Sequence, residues 1–242
     1  MTMRRRHIIS SAVAVVIVAV LGSGTGGAPQ KGKKDSRQAG EYGIYVAGKH
    51  IGTEKYVLAS SEGSVTSSST LDFSDPSDAR KKVTVETKLE MDGQYLPRAY
   101  ELKSDMDGQK GNIRGRFAPN QAIFEYSGSG KSQRQGLLVP ERYTILDTNL
   151  FHHFLFLARL FKYGNTGAAQ TFDVVIPQEK DTGALKISEL QKETLLINGK
   201  KVDTTHLLVD SGTMRIQLWV DDNRVPRKIA VPEKGIEVVH KD

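Results

Sequence analysis

Apolar and polar residues alternate with a period of two through most of this chain. In KVTVETKLEMDG, residues 82 to 93, Val83, Val85, Thr87, Leu89 and Met91 fall on one side of an extended backbone, and Thr84, Glu86, Lys88 and Glu90 on the other. MRIQLWVDD, residues 214 to 222, repeats the pattern: Met214, Ile216, Leu218 and Val220 oppose Arg215, Gln217, Trp219 and Asp221. Half-buried strands produce this spacing, and amphipathic helices do not. Turn dipeptides recur between such runs, at Asp92-Gly93, Asp107-Gly108, Asn198-Gly199, Asp210-Ser211-Gly212 and Asp222-Asn223. Connections this short leave no room for crossover helices. The pattern therefore predicts a mainly β fold of about eleven to thirteen strands in one large curled antiparallel sheet, a half-barrel or a partly closed barrel. The two MDGQ tetrapeptides, at 91 to 94 and 106 to 109, read as similar turns, because the residues around them do not match.

With 242 residues and 38% hydrophobic content, the chain can bury one good core. A single β-rich domain over residues 40–242 is expected. Ahead of it, Arg4, Arg5 and Arg6 precede an uncharged apolar run from Ile8 to Leu21 and then small residues, the layout of a secretory signal or an uncleaved N-terminal anchor over 1–28. The expected location is outside the cytoplasm, in the periplasm or anchored facing it. The segment PQKGKKDSRQ lies in a basic flexible linker at 29–39. There is no cysteine, so neither a disulfide nor a lipid-modified cysteine at the signal junction is available.

The formal charge is +6, but its excess resides in the leader and the linker. Residues 1 to 28 hold three arginines and no acid, and 29 to 38 hold four cations against Asp35, which leaves the remainder neutral. A nucleic-acid binder carries a basic face on its folded part, so nucleic acid is not an expected partner. Membrane contact is expected only through the N-terminal segment, if it is uncleaved.

One stretch breaks the strand pattern. FHHFLFLARLF, residues 151 to 161, follows Asp147 and Thr148 as candidate caps and precedes Gly164 as a stop, which predicts a helix over Asn149 to Tyr163. On a helical wheel, Leu150, Phe151, Phe154, Leu155, Leu157, Ala158 and Phe161 form one broad apolar face, extended by Phe156 and Leu160. His152, Arg159, Lys162 and Tyr163 make a narrow polar strip. So wide an apolar arc suits a helix packed in the hollow of a curved sheet, or one that also covers an apolar ligand.

Several passages together resemble a known architecture: EYGIYVAGKHIGTEKYVL, ILDTNLFHHFLFLARLF before AQTFDVVIP, and DTTHLLVDSGTMRIQLWVDDNRVPRKIAV. The combination is similar to a bacterial exported β-rich family of unknown function, which resembles at fold level the half-barrels of the periplasmic lipoprotein-localisation proteins LolA and LolB. The resemblance spans most of residues 41 to 240. It brings no catalytic residues with it. It implies an apolar concave face able to take acyl chains, with the helix as plug or lid.

Candidates for chemistry are few. His152 and His153 are adjacent, so on a helix they diverge by about 100° and do not chelate as an i, i+4 pair would. His153 falls in the apolar arc as a hydrogen-bonded core histidine, and His152 on the solvent strip. His206 has no cysteine or HExxH partner, so no metal site is expected. SGSGKS, residues 127 to 132, has Glu125 where a phosphate loop needs glycine and is read as a hairpin turn. Asp72, Asp75 and Asp78 lack the calcium-loop glycine and closing glutamate and are read as turn or cap residues. The serines of SSEGSVTSSS carry no nucleophile-elbow pattern. Paired carboxylates for glycoside chemistry need only meet in space, which one sequence leaves open.

No catalytic residue and no cofactor is expected. The functional expectation is a non-enzymatic binding or carrier module of the cell envelope for an apolar ligand or lipidated partner. Its candidate ligand-binding residues are Phe151, Phe154, Leu155, Phe161 and Trp219. The alternative is a structural or protein-interaction domain of the envelope, with the helix as plain core.

Overall fold

The computed structural model describes residues 35–74, 78 and 80–241. The expected leader at 1–28 lies outside the described residues, as does most of the linker. The first strand begins at Ser36, inside the stretch expected to be linker, because the backbone from Ser36 to Val46 pairs with the second strand along its length.

Fifteen strands make one sheet. In chain order, β1 (Ser36–Val46), β2 (Lys49–Ser61), β3 (Ser64–Ser74), β4 (Lys82–Asp92), β5 (Pro97–Met106), β6 (Gln109–Ala118), β7 (Gln121–Gly128) and β8 (Lys131–Leu138) form a meander running to one edge. The rest are β9 (Thr144–Ile145), β10 (Ala169–Ile176), β11 (Asp181–Ile197), β12 (Lys200–Asp210), β13 (Arg215–Val220), β14 (Pro226–Val231) and β15 (Ile236–Lys241). β15 returns to pair with β1, and the order β8-β7-β6-β5-β4-β3-β2-β1-β15-β14-β13-β12-β11-β10-β9 places the second meander on the other side of β1. The sheet is curled and not closed into a barrel. It exceeds the eleven to thirteen strands expected, and it is mixed, because the two-residue β9 runs parallel to β10.

Local chemistry explains the hairpins. At Ala47-Gly48, Asp107-Gly108, Ser129-Gly130 and Asn198-Gly199 both turn residues have positive φ, the conformation that matches strand twist in two-residue hairpins. SGSGKS is thus a hairpin turn. Register breaks at Ile44/Tyr45, Glu90/Met91, Glu189/Gln191 and Trp219/Val220 add the local twist by which so wide a sheet curls. Side chains of the last two strands on this side bridge to the turn after β10: Tyr126 Oη of β7 donates to the Pro177 carbonyl at 2.9 Å, and Lys180 Nζ donates to Gln133 of β8 at 2.9 Å.

Into the hollow runs the segment between β9 and β10. It is shorter than expected: a 3-10 turn at Phe151–His153 leads into α1, Phe154–Leu160. Asn149 cannot start a helix because its φ is +62°. At the other end Gln170 captures the Lys162 backbone through both its N–H and its carbonyl, and Glu189 accepts the Gly164 N–H at 2.7 Å. These bonds turn the chain out after Phe161, whose backbone is extended.

Candidate functional site

The plug is buried all round, from Phe151 to Ala158. Phe151, Phe154, Leu155 and Phe161 are therefore core residues of the half-barrel, packed with inward residues such as Leu58, Leu71, Leu207 and Ile229. At about 1.5–3 kcal/mol for each large apolar side chain removed from water, this segment is a principal contributor to the core.

His152 is not on a solvent strip. It is 1% exposed, because β2 turns Glu54 inward and the carboxylate takes the histidine. The Glu54 carboxylate accepts the backbone N–H of Phe151 at 2.8 Å and of His152 at 3.1 Å, and its other oxygen lies 2.5 Å from His152 Nδ1. This is the cap of the plug, supplied across the hollow instead of by Asp147 or Thr148. A helix start leaves backbone N–H groups unpaired and carries a partial positive charge, and a buried acid answers both.

His153 is buried as expected, and its Nδ1 accepts the Asp147 backbone N–H at 3.0 Å. Burial, and then the neighbouring His152, hold its pKa well below the ordinary value, so the ring is neutral with its proton on Nε2. The two imidazoles do not diverge as on a regular helix. The 3-10 turn brings their centroids to 4.4 Å, and the Nε2 atoms of both are buried with no hydrogen-bond partner among the described residues. Asp147 itself accepts from Tyr100 Oη at 2.5 Å and from the N–H groups of Gln178 and Thr148. Burial outweighs these donors and pushes its pKa up to about 6. Sequence reasoning missed Glu54 and Tyr100; the one available signal for Glu54 is a charged residue in phase with Tyr56 and Leu58 on the inward face of β2.

A second polar chain lies beneath β1. Tyr56 Oη is 3.0 Å from His240 Nε2, Arg227 donates to His240 Nδ1 at 3.1 Å, and Arg227 Nε donates to Asp221 at 2.7 Å. Asp221 also accepts the Val225 N–H, so it holds the turn between β13 and β14 and anchors this chain as well.

Trp219 faces outward, as its phase predicts, half-buried on the convex side. It stacks on His206 with centroids 4.5 Å apart, and its indole N–H donates to Glu193 at 2.7 Å. The structure does not bring Trp219 together with the plug residues. Of the aspartates weighed for calcium, Asp72 accepts from Thr84 and Asp78 pairs with Arg80, while Asp75 lies outside the described residues. Among the described residues no group of three or more His, Asp or Glu side chains is placed to hold a metal ion, and no helix is long and apolar enough to cross a membrane.

Unfilled space remains at the two ends of the hollow. Beside the start of the plug is a cleft of about 610 Å³ with an apolar floor and walls that include Leu71, Phe73, Val83, Val85, Leu102 and Ile113, and a polar rim that includes Lys131, Gln133, Thr148, Asn149 and Gln178. Past its end is a larger opening of about 1210 Å³, lined with Glu141, Arg142, Arg159, Lys162 and Asp173 among others, a charged and solvated mouth. None of the five residues expected to bind ligand lines either opening. The apolar cleft is the candidate site, because convergent apolar side chains left unfilled are what a ligand pocket requires.

No family model matches the chain, and no curated protein matches it. Among solved structures, a β-barrel-like protein of the domain of unknown function DUF1849 from Brucella abortus is similar over 85% of this chain and 94% of its own, at 11% identity and a TM-score of 0.57. A DUF1089 family protein from Pseudomonas aeruginosa is similar over 75% of this chain and 90% of its own, at 11% identity and a TM-score of 0.47. At such identity the first likeness shows the fold alone: this chain has a β-barrel-like architecture.

Proposed function

We propose that the protein is a non-enzymatic binding module of the cell envelope that holds an apolar ligand in the cleft beside the start of the plug. One observation carries the reading: α1 and its 3-10 entry fill part of the hollow and leave about 610 Å³ of apolar cleft open. A domain whose only need was a packed core would fill that space, since interiors pack to near-crystalline density. The resemblance to LolA and LolB half-barrels supports a ligand of acyl type, and the basic and apolar leader supports a site of action outside the cytoplasm.

The test is native mass spectrometry with organic extraction on the protein purified from the envelope of a cell that exports it. A co-purifying apolar molecule, lost in Phe73→Asp while the fold is retained, is the expected result. Phe73 suits the purpose because it lines the cleft and is only partly buried. An empty, well-folded wild type that also takes up no added fatty acid or fatty alcohol would end this reading.

A further inference from the structure

The floor of the cleft has a direction. Across the sheet, Leu71 pairs with Val85, Val85 with Ser104, Ser104 with Gly111, Gly111 with Gly128, and Gly128 with Lys131. Residues opposite one another share a face, so these six form one row running perpendicular to the strands on the inner side. The row is apolar at β3 and β4, carries the small Ser104 hydroxyl at β5, is bare of side chains at Gly111 and Gly128, and is cationic at β8. One neighbouring row, Leu102, Ile113 and Tyr126, makes an apolar wall, and the other, Phe73, Val83 and Met106, makes the facing wall. Strands about 4.8 Å apart give the row five spacings, about 24 Å measured along the sheet.

Gly111 explains why the row is a groove. A Cβ there would come within 2.8 Å of Ser104 Oγ, so any larger residue would stand in the channel. Among the described residues that line the cleft, Lys131 is the only charged one and none is a carboxylate. Its side chain makes no ion pair or hydrogen bond among the described residues, whereas nearby Lys180 is engaged with Gln133 and the Tyr126 ring. An apolar trough ending in one unpaired ammonium is complementary to a molecule with an apolar tail and one negative charge.

Resting on the reading above, we infer that the ligand is a long-chain carboxylate of fatty-acid type, its head at Lys131 and its tail crossing Gly128 and Gly111 toward Val85 and Leu71. A single cation, with no second positive group among the described lining residues, suits a monoanionic carboxylate better than a phosphate of greater charge.

The experiment is a titration of the purified protein with oleate and, in parallel, with oleyl alcohol, followed by native mass spectrometry. In the wild type oleate should bind at least tenfold more tightly than the alcohol. Lys131→Glu should weaken oleate at least tenfold and leave the alcohol unchanged; the position is exposed at a hairpin, so folding is not at risk. Gly111→Val should weaken both, and valine is at home in a strand. If both ligands bind but Lys131→Glu changes neither, or if a single-chain phosphate monoester binds more tightly than oleate, the carboxylate assignment is overturned and the apolar reading stands. If neither ligand binds the wild type, the apolar reading itself fails, and this inference with it.

Discussion

Glu54 and His152 stand 98 positions apart in the chain and 2.5 Å apart in the hollow of the sheet, where the carboxylate also accepts the two backbone N–H groups that open the plug. The contact joins the first meander to the segment that fills it. Both side chains are removed from water, so each relies on the other.

Breaking this pair should be among the most damaging single changes available. Glu54→Leu leaves His152 and two backbone donors without a partner, and a loss of about 3–5 kcal/mol of stability is expected. Denaturant unfolding followed through Trp219 fluorescence measures it. In the double variant Glu54→Leu/His152→Leu, the summed single losses should exceed the combined loss by more than about 1 kcal/mol; strict additivity would show that the two residues act independently.

The buried carboxyl of Asp147 gives a pH dependence of definite sign. Its pKa rises from 3.8 in the unfolded chain to about 6 in the fold, chiefly through burial. Folding therefore takes up a proton between those values, and the unfavourable contribution grows as pH rises through that window and is complete above it. Asp147→Asn lacks the term but loses an acceptor for Tyr100 or for the Gln178 and Thr148 N–H groups. Wild-type stability relative to Asp147→Asn should consequently fall from about pH 4 to about pH 6 and then level off. Unfolding curves of both proteins at about pH 4, 6 and 8 check this; a difference that rises with pH would contradict it.

Gly40 is needed by the aromatic and histidine side chains beneath β1. A Cβ at this position would lie 2.5 Å from both Tyr56 Oη and His240 Nε2, which are bonded to each other. Gly40→Ala should destabilise by about 1–3 kcal/mol through overpacking. Because Arg227 donates to His240 Nδ1, the bond to Tyr56 is carried by the His240 Nε2 proton, and loss of that slowed proton from the NMR spectrum would locate the damage.

Ala47 is the reverse case. It occupies a left-handed turn position, with φ of +48°, ahead of Gly48. Alanine is disfavoured there and asparagine is not, so Ala47→Asn should raise stability by about 1 kcal/mol. Thermal unfolding would show a higher midpoint; a lower one would mean that the Ala47 methyl or the adjoining bond to Gly235 matters more than the backbone preference.

Core and cleft are separable by mutation. Phe154→Ala should cost about 3–5 kcal/mol, as a large buried ring that lines neither opening. Phe73→Ala, in the partly open wall, should cost less than half as much and yet weaken ligand binding more. Parallel unfolding and lipid titrations decide between this assignment and one in which the plug itself carries the ligand.

The architecture was legible in the order of residues, because it depends on local quantities. Alternation in KVTVETKLEMDG and MRIQLWVDD set which residues face inward, turn pairs such as Asn198-Gly199 set the hairpins, and the density of large apolar residues from Phe151 to Phe161 marked the segment that fills the sheet. Whatever depends on residues meeting across the hollow was set by packing. His152 looks polar and solvent-facing on its own helix and is buried because Glu54, on a strand with no local relation to it, satisfies it. The helix is half the expected length because the left-handed Asn149 and the 3-10 turn delay its start to Phe154, and Gln170 and Glu189 hold the chain that leaves it at Lys162 and Gly164. The cleft could not be read from the greasy helix, since volume left unfilled is a property of curvature and register. The row from Leu71 to Lys131 exists only once six strands are aligned, and no one strand carries its pattern.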